Sequence, residues 1–319
     1  MKKYISVLFY LSILVLILTP STSKNSIISS LNLCIYTLFP VIFPFIAITT
    51  YMTFWELYEP LANLIFPIVH YIFGVSRDGC FAVITGFTCG YPTGVKTAKD
   101  LFISGKIKYN EYLYLLTFTN NIGLGFLFGF VQNTILNNTV SPLILMLITY
   151  IPSILTAMFF KNSRLDSKIQ TSNINGNSTN NNSQNFNLNY SNMSKNHIIS
   201  PINQIITTLA TISFYLIVCS IISDYIYCYT PDSFVLKTPL LSLFEITKGF
   251  SLLSNTTLQW KLLLVTIGTI TGGASITLQS LALTVDKYAK SVYLKGKLIS
   301  MLFGMCLLTI YLFIQLIFQ

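Results

Sequence analysis

Apolar residues run along this chain in blocks separated by short polar pieces, near 4–19, 31–54, 61–75, 79–95, 111–133, 141–160, 203–228, 240–253, 259–284 and 298–318. Long blocks such as Ile5–Leu18 and Leu298–Phe318 lack the strict alternation of a barrel strand, so the pattern predicts helices. One helical crossing of a bilayer needs about 20 apolar residues. The expected fold class is all-α: a polytopic membrane protein of roughly eight spans plus re-entrant or broken helices, in two repeat-like halves.

Several blocks are awkward as simple spans. Pro40-Val41-Ile42-Phe43-Pro44 interrupts 31–54, which predicts a re-entrant hairpin or a kinked helix. Block 61–75 is short and contains Pro67. Block 240–253 is shorter and carries Glu245 and Lys248, expected to form a buried pair within a re-entrant hairpin. Blocks 111–133 and 141–160 read as a pair of crossing helices. Residues 86–100, GFTCGYPTGVKTAKD, are rich in glycine and charge although apolar runs lie on both sides. Backbone of this kind cannot face lipid, because its unpaired N–H and C=O groups would each cost several kcal/mol. The stretch is a loop outside the bilayer or irregular backbone buried in protein. Short and interrupted apolar segments of this sort point to a transporter site.

Residues 171–196, TSNINGNSTNNNSQNFNLNYSNMSKN, break the pattern altogether. They hold too few apolar groups to offset chain entropy, and read as a disordered linker. The chain therefore divides into an N-terminal membrane half, 1–160, a linker, 161–199, and a C-terminal membrane half, 200–319. Basic residues at 161–168 and Lys195 place the linker in the cytoplasm. The same rule puts Lys96, Lys99, Lys106 and Lys108 there, and with them Lys287, Lys290, Lys295 and Lys297. Met1-Lys2-Lys3 before an apolar run resembles a signal peptide; with more spans following, an uncleaved anchor is favoured.

Composition strengthens the membrane assignment and narrows the function. The chain is 53% hydrophobic, 9% charged and has a mean hydropathy of +0.65, whereas soluble domains carry about 25% charged residues. The net charge of +9 is explained by topogenic lysine clusters, and no nucleic-acid partner is expected. Six scattered cysteines form no C-x-x-C pair, and His70 and His197 lie far apart, so neither a metal nor a disulfide framework is expected. No nucleophile–base arrangement or phosphate-binding loop occurs, so no enzyme and no cofactor is expected. The partners that remain are membrane lipid, a small solute and an unspecified coupling ion.

The glycine-rich stretch has an internal echo. Gly268-Thr269-Ile270-Thr271-Gly272-Gly273-Ala274-Ser275 repeats the glycine spacing of Gly86-Phe87-Thr88-Cys89-Gly90-Tyr91-Pro92-Thr93, and each copy leads on to a Gly-Lys pair, Gly105-Lys106 and Gly296-Lys297. Gly90 and Gly94 allow a sharp bend beside Pro92, and a helix restarting near Thr93 would present free N–H groups with Lys96 one turn in. That arrangement suits an anion. Gly272 and Gly273 offer a second helix start, with Ser275, Thr277 and Gln279 as hydrogen-bonding side chains. Asn120 and Asn121, inside an apolar block, need a neighbouring helix or a substrate as partner.

Gly90-Tyr91-Pro92-Thr93-Gly94-Val95-Lys96, a lysine-rich turn, Phe118-Thr119-Asn120-Asn121 and the later Gly272-Gly273-Ala274-Ser275-Ile276-Thr277-Leu278-Gln279 together resemble the sporulation integral membrane protein family of the YlbJ type. Thr277 stands where that family would have a histidine, and Ile122-Gly123 replaces a Ser-Gly. The resemblance implies nucleoside-recognition Gate domains distantly similar to concentrative nucleoside transporters. It also implies a role in late spore maturation and cortex formation, linked to moving dipicolinate across the outer forespore membrane of the mother cell without ATP. Tyr91 joins the candidate substrate contacts through this motif. The partners implied are the anionic substrate, dipicolinate, and a second copy or other sporulation membrane proteins. The alternatives are a non-transporting assembly component and a nucleoside transporter.

Overall fold

The computed structural model describes residues 10, 17–162, 200–231 and 234–317. Most of the predicted first anchor, and the asparagine-rich piece 171–196, lie outside them. Every described element is helical. In chain order these are α1 (Pro20–Asn32), α2 (Phe39–Phe54), α3 (Glu59–Phe73), α4 (Arg77–Thr88), α5 (Thr93–Ile103), α6 (Tyr109–Phe118), α7 (Leu124–Phe126, running into π-helical turns Leu127–Ile135) and α8 (Pro142–Asn162). They continue as α9 (Pro201–Tyr229), α10 (Phe234–Phe244), α11 (Ile246–Ser251), α12 (Leu258–Thr271), α13 (Gly273–Leu283) and α14 (Lys287–Ile317). Four stretches are long and apolar enough to cross a membrane: Pro142–Lys161, Pro201–Tyr229, Leu258–Leu283 and Lys287–Ile317. The pair α1–α2, bent by 50°, makes up to five. The chain is thus an all-α protein with the helices of a polytopic membrane protein.

Local chemistry explains where the helices stop. A π-helical turn, Leu33–Leu38, precedes the Pro40–Pro44 region, and the result is a kinked helix pair. Gly74 ends α3 in the left-handed conformation that suits glycine, and the Ser76 hydroxyl caps α4 by accepting from Gly79 N at 3.1 Å. Block 111–133 departs from the expected single helix: α6 ends at Phe118 and α7 begins at Leu124. Asn120, Asn121 and Gly123 outweigh the apolar continuity around them.

Block 240–253 folds back on itself at Glu245, bringing Gly249 against the backbone of Ser242. The expected Glu245–Lys248 ion pair is not made. The Glu245 carboxylate instead caps α11, accepting from Lys248 N at 2.7 Å and from Thr247, while the Lys248 ammonium pairs with Asp224 of α9 at 2.6 Å. Asp78, next to Arg77 in the chain, accepts from the Tyr58 hydroxyl at 2.6 Å, and Arg77 lies over the Phe66 ring. Burial, then this bond to Asp78, pushes the Tyr58 phenol up. At the surface, Lys106 pairs with Glu56 at 2.7 Å, which pushes its ammonium up.

Two large apolar cores, and a small third one in which Ile46 of α2 meets Ile205 and Ile212 of α9, hold the helices together. One gathers α3 to α6, with Phe73 stacked on Phe118 at 5.0 Å. The other gathers α7, α8, α11 and α12 around Ile122, Leu127, Phe250 and Val265. The residues 119–123 are the hinge between these cores, since Phe118 belongs to the first and Ile122 to the second. The two halves of the chain also interpenetrate: α14 packs along both α6 and α8, and the Thr156 and Ser300 hydroxyls meet at 2.8 Å.

Candidate functional site

Three interruptions of helix meet inside the bundle. The first is the turn Cys89–Pro92, where Gly90 has φ 87° and Tyr91–Pro92 is cis. Here α5 folds back along α4, and the Thr93 hydroxyl lies 3.4 Å from the Thr85 carbonyl oxygen. The second is 119–123. The third is Gly272–Gly273, with φ 80° and 64°. Gly90 and Gly272, which correspond in the internal echo, both take the left-handed conformation, so both copies break at the same position. Their geometry differs beyond that point. The Gly105-Lys106 pair lies in the exposed turn after α5, whereas Gly296-Lys297 lies in the middle of α14.

Glycine brings the first two interruptions into backbone contact. A Cβ on Gly86 or on Gly94 would overlap the Thr119 carbonyl oxygen, and one on Gly90 would stand 2.6 Å from Gly123 N. Asn120 then joins this assembly to the third interruption. Its side-chain nitrogen donates to the Ser280 hydroxyl of α13 at 2.9 Å and to the Tyr293 hydroxyl of α14 at 2.8 Å. The Lys297 ammonium donates to the Asn120 carbonyl and, at 2.7 Å, to the Ile270 carbonyl. Both acceptors stand at or just past the C-terminal end of a helix, where carbonyls lack intrahelical partners and the helix dipole is negative.

The other predicted residues fall into two groups. Asn121 is taken up structurally, donating to the Phe118 carbonyl at 2.9 Å and accepting from Ser153. Gln279 donates to Ser275 at 3.0 Å, and Thr277 to the Thr271 carbonyl at 3.2 Å, which braces the start of α13. Thr93 donates to the Gly90 carbonyl. Lys96 is 3% exposed and its ammonium is bound to Asp100 one turn on, so its charge is already met. Tyr91 and Asn120 differ from these: the Tyr91 hydroxyl and the Asn120 side-chain oxygen are buried with no hydrogen-bond partner.

Three residues at the centre were not singled out by their types: Lys297, Tyr293 and Ser280. Lys297, expected among the cytoplasmic lysines, is buried and makes no ion pair among the described residues. A signal did exist. Ala289, Tyr293, Gly296-Lys297, Ser300 and Gly304 recur at helical spacing, giving α14 one face of small and polar groups. Gly296 lets that face approach to within 2.5 Å of the Thr117 backbone, measured from where its Cβ would stand.

The third interruption carries a measurable cost. Gly272→Ala forces a side chain into the left-handed region at about 1–2 kcal/mol and pushes on Ile276, so the thermal midpoint of the protein in detergent should fall by a few degrees. An unchanged midpoint would show that the break does not need glycine.

Among the described residues no cluster of His, Cys, Asp or Glu is arranged to hold a metal. No family model matches the chain, and neither the curated proteins nor the solved structures include one similar to it.

Proposed function

We propose that this chain is a secondary carrier for a small anionic solute, which it holds at the centre formed by Asn120, Tyr293 and Lys297. The observation that carries this reading is the Lys297 side-chain nitrogen: a buried basic group held between two interrupted backbones, with no carboxylate paired to it among the described residues. An ammonium has three donors, and two are taken by the Asn120 and Ile270 carbonyls. The third is available to an anion. The buried Tyr91 hydroxyl, which lacks a partner, supplies a further donor. Lys96, neutralised by Asp100, serves the hairpin and not the solute. Intramembrane ionisable groups and broken helices are the usual marks of a solute path.

The motif resemblance supplies the solute to try first, dipicolinate, whose two carboxylates would engage Lys297 and the hydroxyls. In this reading the protein works in the outer forespore membrane, with the piece 163–199 facing the mother-cell cytoplasm. Beyond the four or five long helices, α3 and α6–α7 supply the further crossings, and the α4–α5 and α10–α11 hairpins are the re-entrant elements. A non-transporting assembly component is favoured by one observation: Gly86, Gly90 and Gly94 are filled by neighbouring backbone and leave no space for a ligand.

Vesicles containing only this protein separate these readings. Labelled dipicolinate should accumulate in preference to uridine. Tyr91→Phe should leave the thermal midpoint unchanged, because the lost hydroxyl has no protein partner, yet weaken uptake about 10–100-fold, as expected for one hydrogen bond to a charged group. Uptake of neither solute would leave the assembly role, and preferential uptake of uridine would make the protein a nucleoside carrier.

A further inference from the structure

Lys297 raises a second question, about what drives the carrier. Where transporters break their helices, the unwound carbonyls and C-terminal helix ends commonly coordinate an alkali cation. This chain has that arrangement of oxygens. The Asn120 carbonyl follows the end of α6, and the Ile270 carbonyl lies in the last turn of α12. Both point at one nitrogen, Lys297 Nζ. Two more buried oxygens close to these carbonyls in the chain have no partner: the side-chain oxygen of Asn120 itself, and the Thr266 hydroxyl one helical turn before Ile270. An oxygen-rich, carboxylate-free cluster at helix C-termini attracts a positive charge, and a tethered ammonium provides it.

The charges on the surrounding elements are met elsewhere: at the α10–α11 turn, which packs against α12, the buried Glu245 carboxylate caps α11 and Lys248 pairs with Asp224. On α8, Lys161 reaches away to the Tyr71 and Ile72 carbonyls. On α6, Glu111 accepts from Ser76 N, and Lys261 lies in the first turn of α12, far from Ile270. On α5, Lys96 and Asp100 satisfy each other. On α14 itself the near neighbour is the Tyr293 phenol, which is bound to Asn120.

We propose that the Lys297 ammonium occupies the position of a coupling alkali cation, so that this protein needs neither sodium nor potassium to join its two halves. Removing the amine opens the same oxygens to a free cation. The consequence for transport rests on the carrier reading, whereas the occupancy of the site does not.

The test uses the full chain in detergent, with thermal midpoints measured in choline, sodium and potassium chloride at one ionic strength. The wild type should give the same midpoint in all three. Lys297→Ala should melt lower in choline and recover by several degrees, saturably, in sodium or potassium. Lys297→Met, which fills the space without a donor, should melt lower in every salt. A wild type stabilised by sodium or potassium as strongly as Lys297→Ala would overturn the proposal. So would a folded Lys297→Ala protein indifferent to the salt. If Lys297→Ala is recovered folded only when purified in sodium or potassium, the proposal stands; if it is recovered in no salt, the proposal fails. In vesicles, dipicolinate uptake by the wild type should survive replacement of sodium by choline. If no dipicolinate enters at all, the carrier reading fails, and the midpoints still decide the occupancy of the site.

Discussion

Gly94→Ala should destabilise this protein more than Gly272→Ala or Gly129→Ala. The new Cβ would overlap the Thr119 carbonyl oxygen and stand 2.8 Å from the Gly86 Cα, so both opposing groups are backbone and neither can rotate away. Relief requires α5 to withdraw from the 119–123 hinge. That movement also disturbs the contact of Gly90 with Gly123 and the Thr93 bond to the Gly90 carbonyl. Overpacking usually costs about 1–3 kcal/mol where side chains can adjust; here about 3 kcal/mol or more is expected. Gly129→Ala is the control, since nothing lies within 4 Å of its Cβ position. The thermal midpoint in detergent, read by loss of the monodisperse elution peak, should drop steeply for Gly94→Ala and stay nearly constant for Gly129→Ala. Equal behaviour of the two variants would mean that the hairpin does not seat on Thr119.

The second large effect is expected at Asn120. Asn120→Ala removes the donor that serves both Ser280 and Tyr293, leaving each buried hydroxyl one bond short, although Ser280 keeps its bond to the Ile276 carbonyl at 2.8 Å. Each lost hydrogen bond costs about 0.5–1.5 kcal/mol, so a loss of about 1–3 kcal/mol is expected, read from the thermal midpoint. A double-mutant cycle with Tyr293→Phe isolates the pair. Because the two side chains are bonded at 2.8 Å, the combined variant should be less destabilised than the sum of the single variants, by about 0.5–3 kcal/mol. Strict additivity of the two losses would show that this bond contributes nothing, and would remove Tyr293 from the centre.

The breaks in the helices are legible in the sequence, because glycine and proline act locally. Gly90, Pro92, Gly272 and Gly273 cannot continue a helix cheaply in lipid, and each lies at an interruption. The partition of the charges was not readable in the same way. Lys96 and Asp100 are spaced one helical turn apart, a pairing rule that the chain does display, but the attraction of a free helix start concealed it. Lys297 is chemically the same as Lys287, Lys290 and Lys295. What distinguishes it is a contact with Asn120 across 177 residues of chain, which no local pattern encodes. Glu245 and Lys248 also chose long-range and backbone partners over each other. In each case the hydrophobic pattern located the helix, and tertiary packing decided what its charge would meet.

The span of 177 residues between Asn120 and Lys297 also sets an order of events in the making of the protein. A ribosome adding about 5–20 residues per second needs roughly 10–35 s to travel from the hinge to the amine that completes it. For that interval the nascent chain carries an unwound backbone segment whose carbonyl has no ammonium to meet, in surroundings where lipid offers no substitute. The hinge must therefore wait beside water, the insertion machinery or a chaperone until α14 arrives.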